Sequence, residues 1–149
     1  RPLRIVFLDA DGVLNCGSSM EGVRADCAGR LARLVLQAGA HIVLSTTWRT
    51  SEAGRMDLLF AFVAAGLARD CIVGQTPELS ETDMYAERAA EICEWMDVQP
   101  KGSVSSWVVL DDIDLSPCVQ LRGHFVRTDG CKGLTDADVD AAIRILAGP

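Results

Sequence analysis

The sequence has no apolar run approaching the roughly 20 residues needed to cross a bilayer. Its N-terminus also lacks the basic-then-apolar plan of a secretory signal. Both absences exclude a membrane role and predict a soluble chain. Basic residues are scarce: 14 Lys and Arg stand against 21 Asp and Glu, a net charge of −7. This balance excludes a broad basic surface for nucleic acid and leaves room only for a local basic groove. The six cysteines show no CxxC and no Cys/His ligand spacing, so they read as small apolar residues of a reducing compartment. An intracellular, cytoplasmic setting is the expectation. No repeat or low-complexity tract is visible, and no initiator methionine precedes the first strand, so a domain trimmed from a longer protein is expected. What is present is a chain of 149 residues, 49% hydrophobic, enough for one core and one domain over 1–149.

The chain is organised around Arg4 to Asn15, RIVFLDADGVLN. Ile5 to Leu8 has the composition of a strand covered on both faces in a parallel sheet. Asp9 and Asp11 follow at its end, and Gly12 allows the backbone to turn sharply beside them. A lone DxD is common in solvated turns. Two carboxylates at the carboxyl end of a buried parallel strand lie where open α/β sheets place their ligands.

Cys16 to Glu21 is Gly/Ser-rich and is expected to form a loop or small flap over the strand ends. Leu31, Leu34 and Val35 place a helix over Arg24 to Gln37, with Asp26 as its cap and Gly39 as its stop. A strand over His41 to Leu44 ends in Ser45-Thr46-Thr47-Trp48-Arg49. A second helix over Met56 to Ala65, closed by Gly66, and a short strand over Cys71 to Val73 follow. Gly74 to Glu81 has turn chemistry around Pro77, and Met84 to Met96 reads as a helix with Ala89, Ile92, Cys93 and Met96 inward. The fourth strand, Trp107 to Leu110, ends in Asp111-Asp112. His124 to Val126 makes a fifth, and Thr135 to Leu146 a last helix with Thr135 and Asp138 at capping-box spacing. Alternating strands and helices imply a mainly parallel sheet covered on both faces.

Three strands therefore end in polar groups: Asp9 with Asp11, Ser45 with Thr46, and Asp111 with Asp112. In a parallel sheet these ends share one edge. With DADGV at Asp9 to Val13, Ser45, and the acidic pair after VVL, the chain resembles the haloacid dehalogenase superfamily of phosphatases and phosphotransferases. DGVLN, LSTTWR, TP followed by an Arg and EICEW, LDD and GLT resemble one branch, the domain associated with Swiss Army Knife RNA-repair proteins. The resemblance implies a Rossmann-like three-layer α/β sandwich with strand order 5-4-1-2-3. It also implies a basic residue upstream of the fourth motif, matched by Arg88, with Lys101 the runner-up.

The implied chemistry is a phosphoryl transfer through a carboxylate nucleophile, Asp9, as an acyl phosphate. Asp11 is expected to serve as general acid and base, with a pKa above that of Asp9. Like charges so close need a hard cation, and Mg²⁺ fits oxygen ligands from Asp9, the Asp11 carbonyl, Asp111 and Asp112. The Ser45 hydroxyl, the Thr46 N–H and Arg88 would serve the phosphoryl oxygens. Gly12, Arg49 and Lys132 are further candidates for substrate contact, Arg49 as an anion contact. Trp48 reads as packing, and His41 and His124 as structural.

Neither the stretch from Asp11 to Ser45 nor that from Ser45 to Arg88 has room for a cap domain beyond the core helices, so an open site is expected. Such a site favours a bulky phosphorylated substrate, a nucleic-acid end or a protein, or else a small metabolite enclosed by a partner subunit. A phosphotransferase, and a phosphate- or metal-binding module without turnover, are the other readings.

Overall fold

The structure is a computed structural model that describes residues 1–17, 22–79 and 84–148. Five strands, β1 (Leu3–Leu8), β2 (Ala40–Leu44), β3 (Ile72–Gln75), β4 (Val104–Asp111) and β5 (Phe125–Arg127), alternate with four helices. The helices are α1 (Ala25–Ala38), α2 (Glu52–Ala64), α3 (Met84–Asp97) and α4 (Asp136–Ala147). The strands form one sheet in the order β3-β2-β1-β4-β5, the expected order. Every pairing is parallel.

The central strand reads as a continuous apolar run because both its faces are covered. Val6 and Leu8 point to one layer, where Leu31 and Leu34 of α1, Leu58 and Phe62 of α2, and Val139 and Leu146 of α4 complete a core. Ile5 and Phe7 point to the other, against Ala89 and Ile92 of α3 and Leu115 and Leu121. Burying each large side chain contributes about 1.5–3 kcal/mol. Phe7 also meets Trp95 and Trp107 edge-on, with centroids 5.4 and 5.9 Å away. The three-layer sandwich therefore rests on β1, the strand that carries the acids.

Several local expectations hold. Gly39 ends α1 with a left-handed φ of 62°, and Thr135 and Asp138 form the capping box of α4. Others are corrected. Asp26 lies inside α1, whose N-cap is Arg24, and its carboxylate accepts from the Cys27 N–H and pairs with Arg24. Helix α2 begins at Glu52, not Met56, because the Ser51 hydroxyl accepts from Gly54 N–H and starts the helix earlier. Strand β3 continues through Gly74 to Gln75. Cys93 and Met96 are only half-buried, while Arg88 and Glu91 of the same helix are buried.

Residues 18–21 and 80–83 lie outside the described residues, and with them most of the expected flap and the end of the expected turn. Among the described residues no cap domain is present. The β1–β2 connection holds α1, the β2–β3 connection holds a short 3-10 turn (Thr47–Thr50) and α2, and the β3–β4 connection holds α3. Nor, among the described residues, is any helix long and apolar enough to cross a membrane.

Candidate active site

Sheet register brings the polar strand ends to one level. Leu8 of β1 pairs with Leu44 of β2 and Leu110 of β4, so the next residues, Asp9, Ser45 and Asp111, stand side by side. Asp9 N–H donates to Leu110 O at 3.1 Å and Ser45 N–H to Leu8 O at 2.9 Å, which fixes that level. All three are buried: Asp9 is 5% exposed, Ser45 and Asp111 0%.

Arg88, at 8% exposure, reaches this cluster from α3. Its Nη1 lies 2.6 Å from Asp111 Oδ2 and 3.4 Å from Asp9 Oδ1. Lys101, the other candidate, sits exposed in the turn before β4, at the opposite edge of the sheet. The structure thus brings Arg88, and not Lys101, to the strand ends.

The electrostatics of the cluster are dominated by desolvation. Burial raises the Asp9 pKa well above the ordinary carboxylate value, Asp111 raises it further, and Arg88 opposes both. Burial likewise raises Asp111, against the pull of Arg88 and a hydrogen bond from Ile113 N–H. Burial alone would lower the Arg88 pKa, but Asp111 and Asp9 outweigh it, so the guanidinium stays charged. One cation faces two buried acids with Asp112 beside them. The protein groups alone therefore favour the protonated form of Asp9.

A hard cation fits this donor set. Asp9, Asp111 and Asp112 each offer a carboxylate oxygen, all within 4.8 Å of one another, and an all-oxygen set suits Mg²⁺. The Ser45 hydroxyl is buried without a hydrogen-bond partner among the described residues. Such a group costs about 1–3 kcal/mol, which an incoming acceptor would recover.

Asp11 is exposed, and its carboxylate is held from two sides. Asn15 Nδ2 donates to Oδ1 at 3.3 Å and Trp48 Nε1 to Oδ2 at 3.1 Å. Trp48, expected only to pack, is thus also a polar partner of Asp11. The Asn15 side chain accepts from Gly12 N–H at 3.0 Å as well. Thr128, buried after β5, donates its hydroxyl to Gly12 O at 2.8 Å. Sequence reading missed Asn15 and Thr128. The spacing of Asn15 from Asp11 in DGVLN was the available signal; nothing in the sequence marked Thr128.

Gly12 is not placed to bind substrate, because it is buried and both its backbone groups are engaged. Its φ of 82° and its closeness to Asp112, whose carboxylate a Cβ would overlap, make it a shaping residue. Gly12→Ala is expected to cost at least about 1–2 kcal/mol for the left-handed backbone alone. It should also displace Asp112. Thermal unfolding with and without Mg²⁺ checks this: a variant with wild-type Tm and wild-type response to the ion would contradict it.

Arg49 is corrected too. Its Nε, Nη1 and Nη2 donate to the carbonyls of Thr76, Thr46 and Pro77 at 2.8, 2.8 and 3.0 Å, and Nη2 pairs with Glu91 at 3.1 Å. With 3% exposure and its donors so engaged, it is no anion contact for a substrate. Thr46 is buried, its side chain accepts from Trp48 N–H, and its N–H has no partner among the described residues. Lys132 is exposed on the loop after β5, whose Gly130 packs against Asp112. His41 and His124 lie toward the far edge, His124 stacked on Trp107 with centroids 3.9 Å apart.

A buried acid pair under one arginine, level with a hydroxyl at parallel strand ends, can hold a divalent cation and a phosphoryl group together. No curated protein and no solved structure gives a significant match. Residues 5–139 match the family described as the HAD domain in Swiss Army Knife RNA repair proteins. That span runs from β1 into the first turn of α4 and contains every site residue discussed above, and on it the chain belongs to this HAD family.

Proposed function

We propose that the chain, working as one unit over 1–149, is a metal-dependent phosphomonoesterase whose substrate carries its phosphate on a nucleic-acid end. The observation that carries this reading is the level convergence of Asp9, Ser45 and Asp111 under Arg88. Asp9, Asp111, Asp112 and the Asp11 carbonyl would hold Mg²⁺, which supplies charge neutralisation when bound. An Asp9 oxygen attacks phosphorus while the bond to the ester oxygen breaks, and Asp11 gives that oxygen its proton. Water then attacks phosphorus, Asp11 takes its proton, and the Asp9–phosphorus bond breaks. The Ser45 hydroxyl, the Thr46 N–H and Arg88 stabilise the phosphoryl oxygens. Asn15 and Trp48 keep the Asp11 carboxylate oriented. All six cysteines are thiols, in keeping with a reducing, intracellular setting.

The absence of a cap domain among the described residues supports a substrate that brings its own bulk. A small ester makes few contacts beyond its phosphoryl group, so little remote binding energy can improve its orientation in the transition state. A polymer can also use the rim, where Lys132 and Arg127 are exposed and Arg127 Nε donates to Asp112 O. An oligonucleotide with a terminal phosphate is expected to exceed the matching mononucleotide in kcat/KM by on the order of 10²-fold. The advantage should shrink as salt rises. Equal values at low and moderate salt would make a small-metabolite phosphatase the better account. A chain that binds phosphate with no turnover of any ester would be a binding module.

A further inference from the structure

We propose that Arg49 and Glu91 are a positioning pair that sets Arg88 against Asp9 and Asp111 and ties it to the Ser45 loop. The inference rests on the phosphatase reading and adds to it two residues that touch neither substrate nor reacting atoms. Arg49 joins three segments. It grips the Thr46 carbonyl beside Ser45, the Thr76 and Pro77 carbonyls after β3, and Glu91 on α3. Glu91 Oε2 accepts in addition from Leu79 N–H at 3.0 Å. The pair is desolvated, with side chains 4% exposed on both partners, so solvent screens it little.

Glu91 and Arg88 are three apart on one helix and share its inward face, at 3% and 8% exposure. Whatever holds Glu91 therefore holds the turn that carries Arg88. Arg88 needs such a hold. Its guanidinium sits between two acids at the ends of different strands, 2.6 and 3.4 Å away. Among the described residues, the other polar side-chain link from the β3–α3 connection to α3 is the Leu79–Glu91 contact. Arg49 closes the same knot onto the phosphate-binding loop, so two groups meant for one phosphoryl group are fixed relative to each other.

A double-mutant cycle tests this. Turnover of a generic aryl phosphate is measured for wild type, Glu91→Gln, Arg88→Met and the double variant. Gln keeps an acceptor for Leu79 N–H and Arg49 while removing the charge that orients the guanidinium. Arg88→Met is expected to lower kcat/KM by on the order of 10²-fold. Glu91→Gln should lower it about ten-fold, within the range that a displaced group costs. The double variant should be no worse than Arg88→Met, because the pair acts through Arg88. A general loss of structure would instead subtract again in the Arg88→Met background.

The same cycle read as affinity for inorganic phosphate gives the answer without turnover. If Glu91→Gln fails to fold by circular dichroism, Arg49→Met with Glu91→Leu replaces it, since apolar pairs substitute well for buried ion pairs. Wild-type kcat/KM for the pair variant, or a loss undiminished when Arg88 is already Met, overturns the positioning role. Arg88→Met at the wild-type rate would instead overturn the phosphatase reading at its arginine. A wild-type protein that neither binds phosphate nor hydrolyses the ester would remove the site reading and the pair's role together.

Discussion

Asp9→Asn is expected to lower phosphatase turnover by at least about 10⁴-fold, the scale on which loss of a covalent nucleophile acts, while leaving a folded and more stable protein. The amide is nearly isosteric with the acid and cannot form the acyl phosphate. The stability gain follows from the sign of the Asp9 shift, which is upward, through burial first and Asp111 second. A carboxyl whose folded-state pKa is raised stabilises the fold below its ordinary pKa. It loses that contribution as pH rises through the folded value. At neutral pH a charged Asp9 is thus a liability that Asn removes. Asn also leaves Arg88 and Asp111 as a balanced pair. In metal-free buffer at pH 7 the Tm should rise by at least about 2–4 °C, the effect of 1 kcal/mol in a domain of this size. The gain should vanish as pH falls toward the ordinary carboxylate range. A variant that hydrolyses an aryl phosphate at the wild-type rate would remove Asp9 from the mechanism. An unchanged or lower Tm at pH 7 would contradict the electrostatic account.

The sheet and its strand-end acids could be read from the chain because each rests on local sequence. A bulky run that stops at an acid, as in Ile5 to Asp9 or Trp107 to Asp111, marks both a buried parallel strand and its end. Strand order was not contained in that pattern and came from family resemblance, which the observed pairing matches. Arg88 was legible for the same reason. The choice over Lys101 became geometric only when β4 placed Lys101 at the opposite edge.

Arg49 shows where such reading stops. An arginine after a phosphate-loop serine suggests an anion contact, and its real partners are scattered through other elements. Thr76 and Pro77 follow β3, and Glu91 lies on α3. Nothing local distinguishes a cation that meets substrate from one that meets a buried glutamate. Trp48 shows the same limit: its ring packs as expected, but its N–H also finds Asp11 across the site. Polar contacts between distant segments depend on the assembled layers, and side-chain periodicity along one element does not encode them.

Removal of divalent cations is expected to abolish activity and lower stability through the same carboxylates. Asp9, Asp111 and Asp112 place their oxygens within 4.8 Å of one another, with one guanidinium among them, so uncompensated negative charge is concentrated in a buried volume. A hard cation there relieves repulsion and desolvation at once, and ligand-linked stabilisation is about 2.7 kcal/mol when the free ion is at 100 times its Kd. Mg²⁺ should therefore raise the wild-type Tm in a concentration-dependent way. Asp111→Asn should flatten that response while the protein remains folded. Loss of electrostatic help worth several kcal/mol corresponds to at least about 10³-fold in rate, so turnover in excess EDTA should fall by that much and return with added Mg²⁺. Chelation also tests how Asp9 is kept ionised, since without the cation burial and Asp111 favour its protonated form. Below the folded-state pKa of Asp9 the metal-free protein should gain stability, and the Mg²⁺ response should weaken as protons compete for the same oxygens. Full activity in EDTA, or a Tm indifferent to Mg²⁺ in both proteins, would show that Arg88 alone balances the acids and that the cluster is not a metal centre.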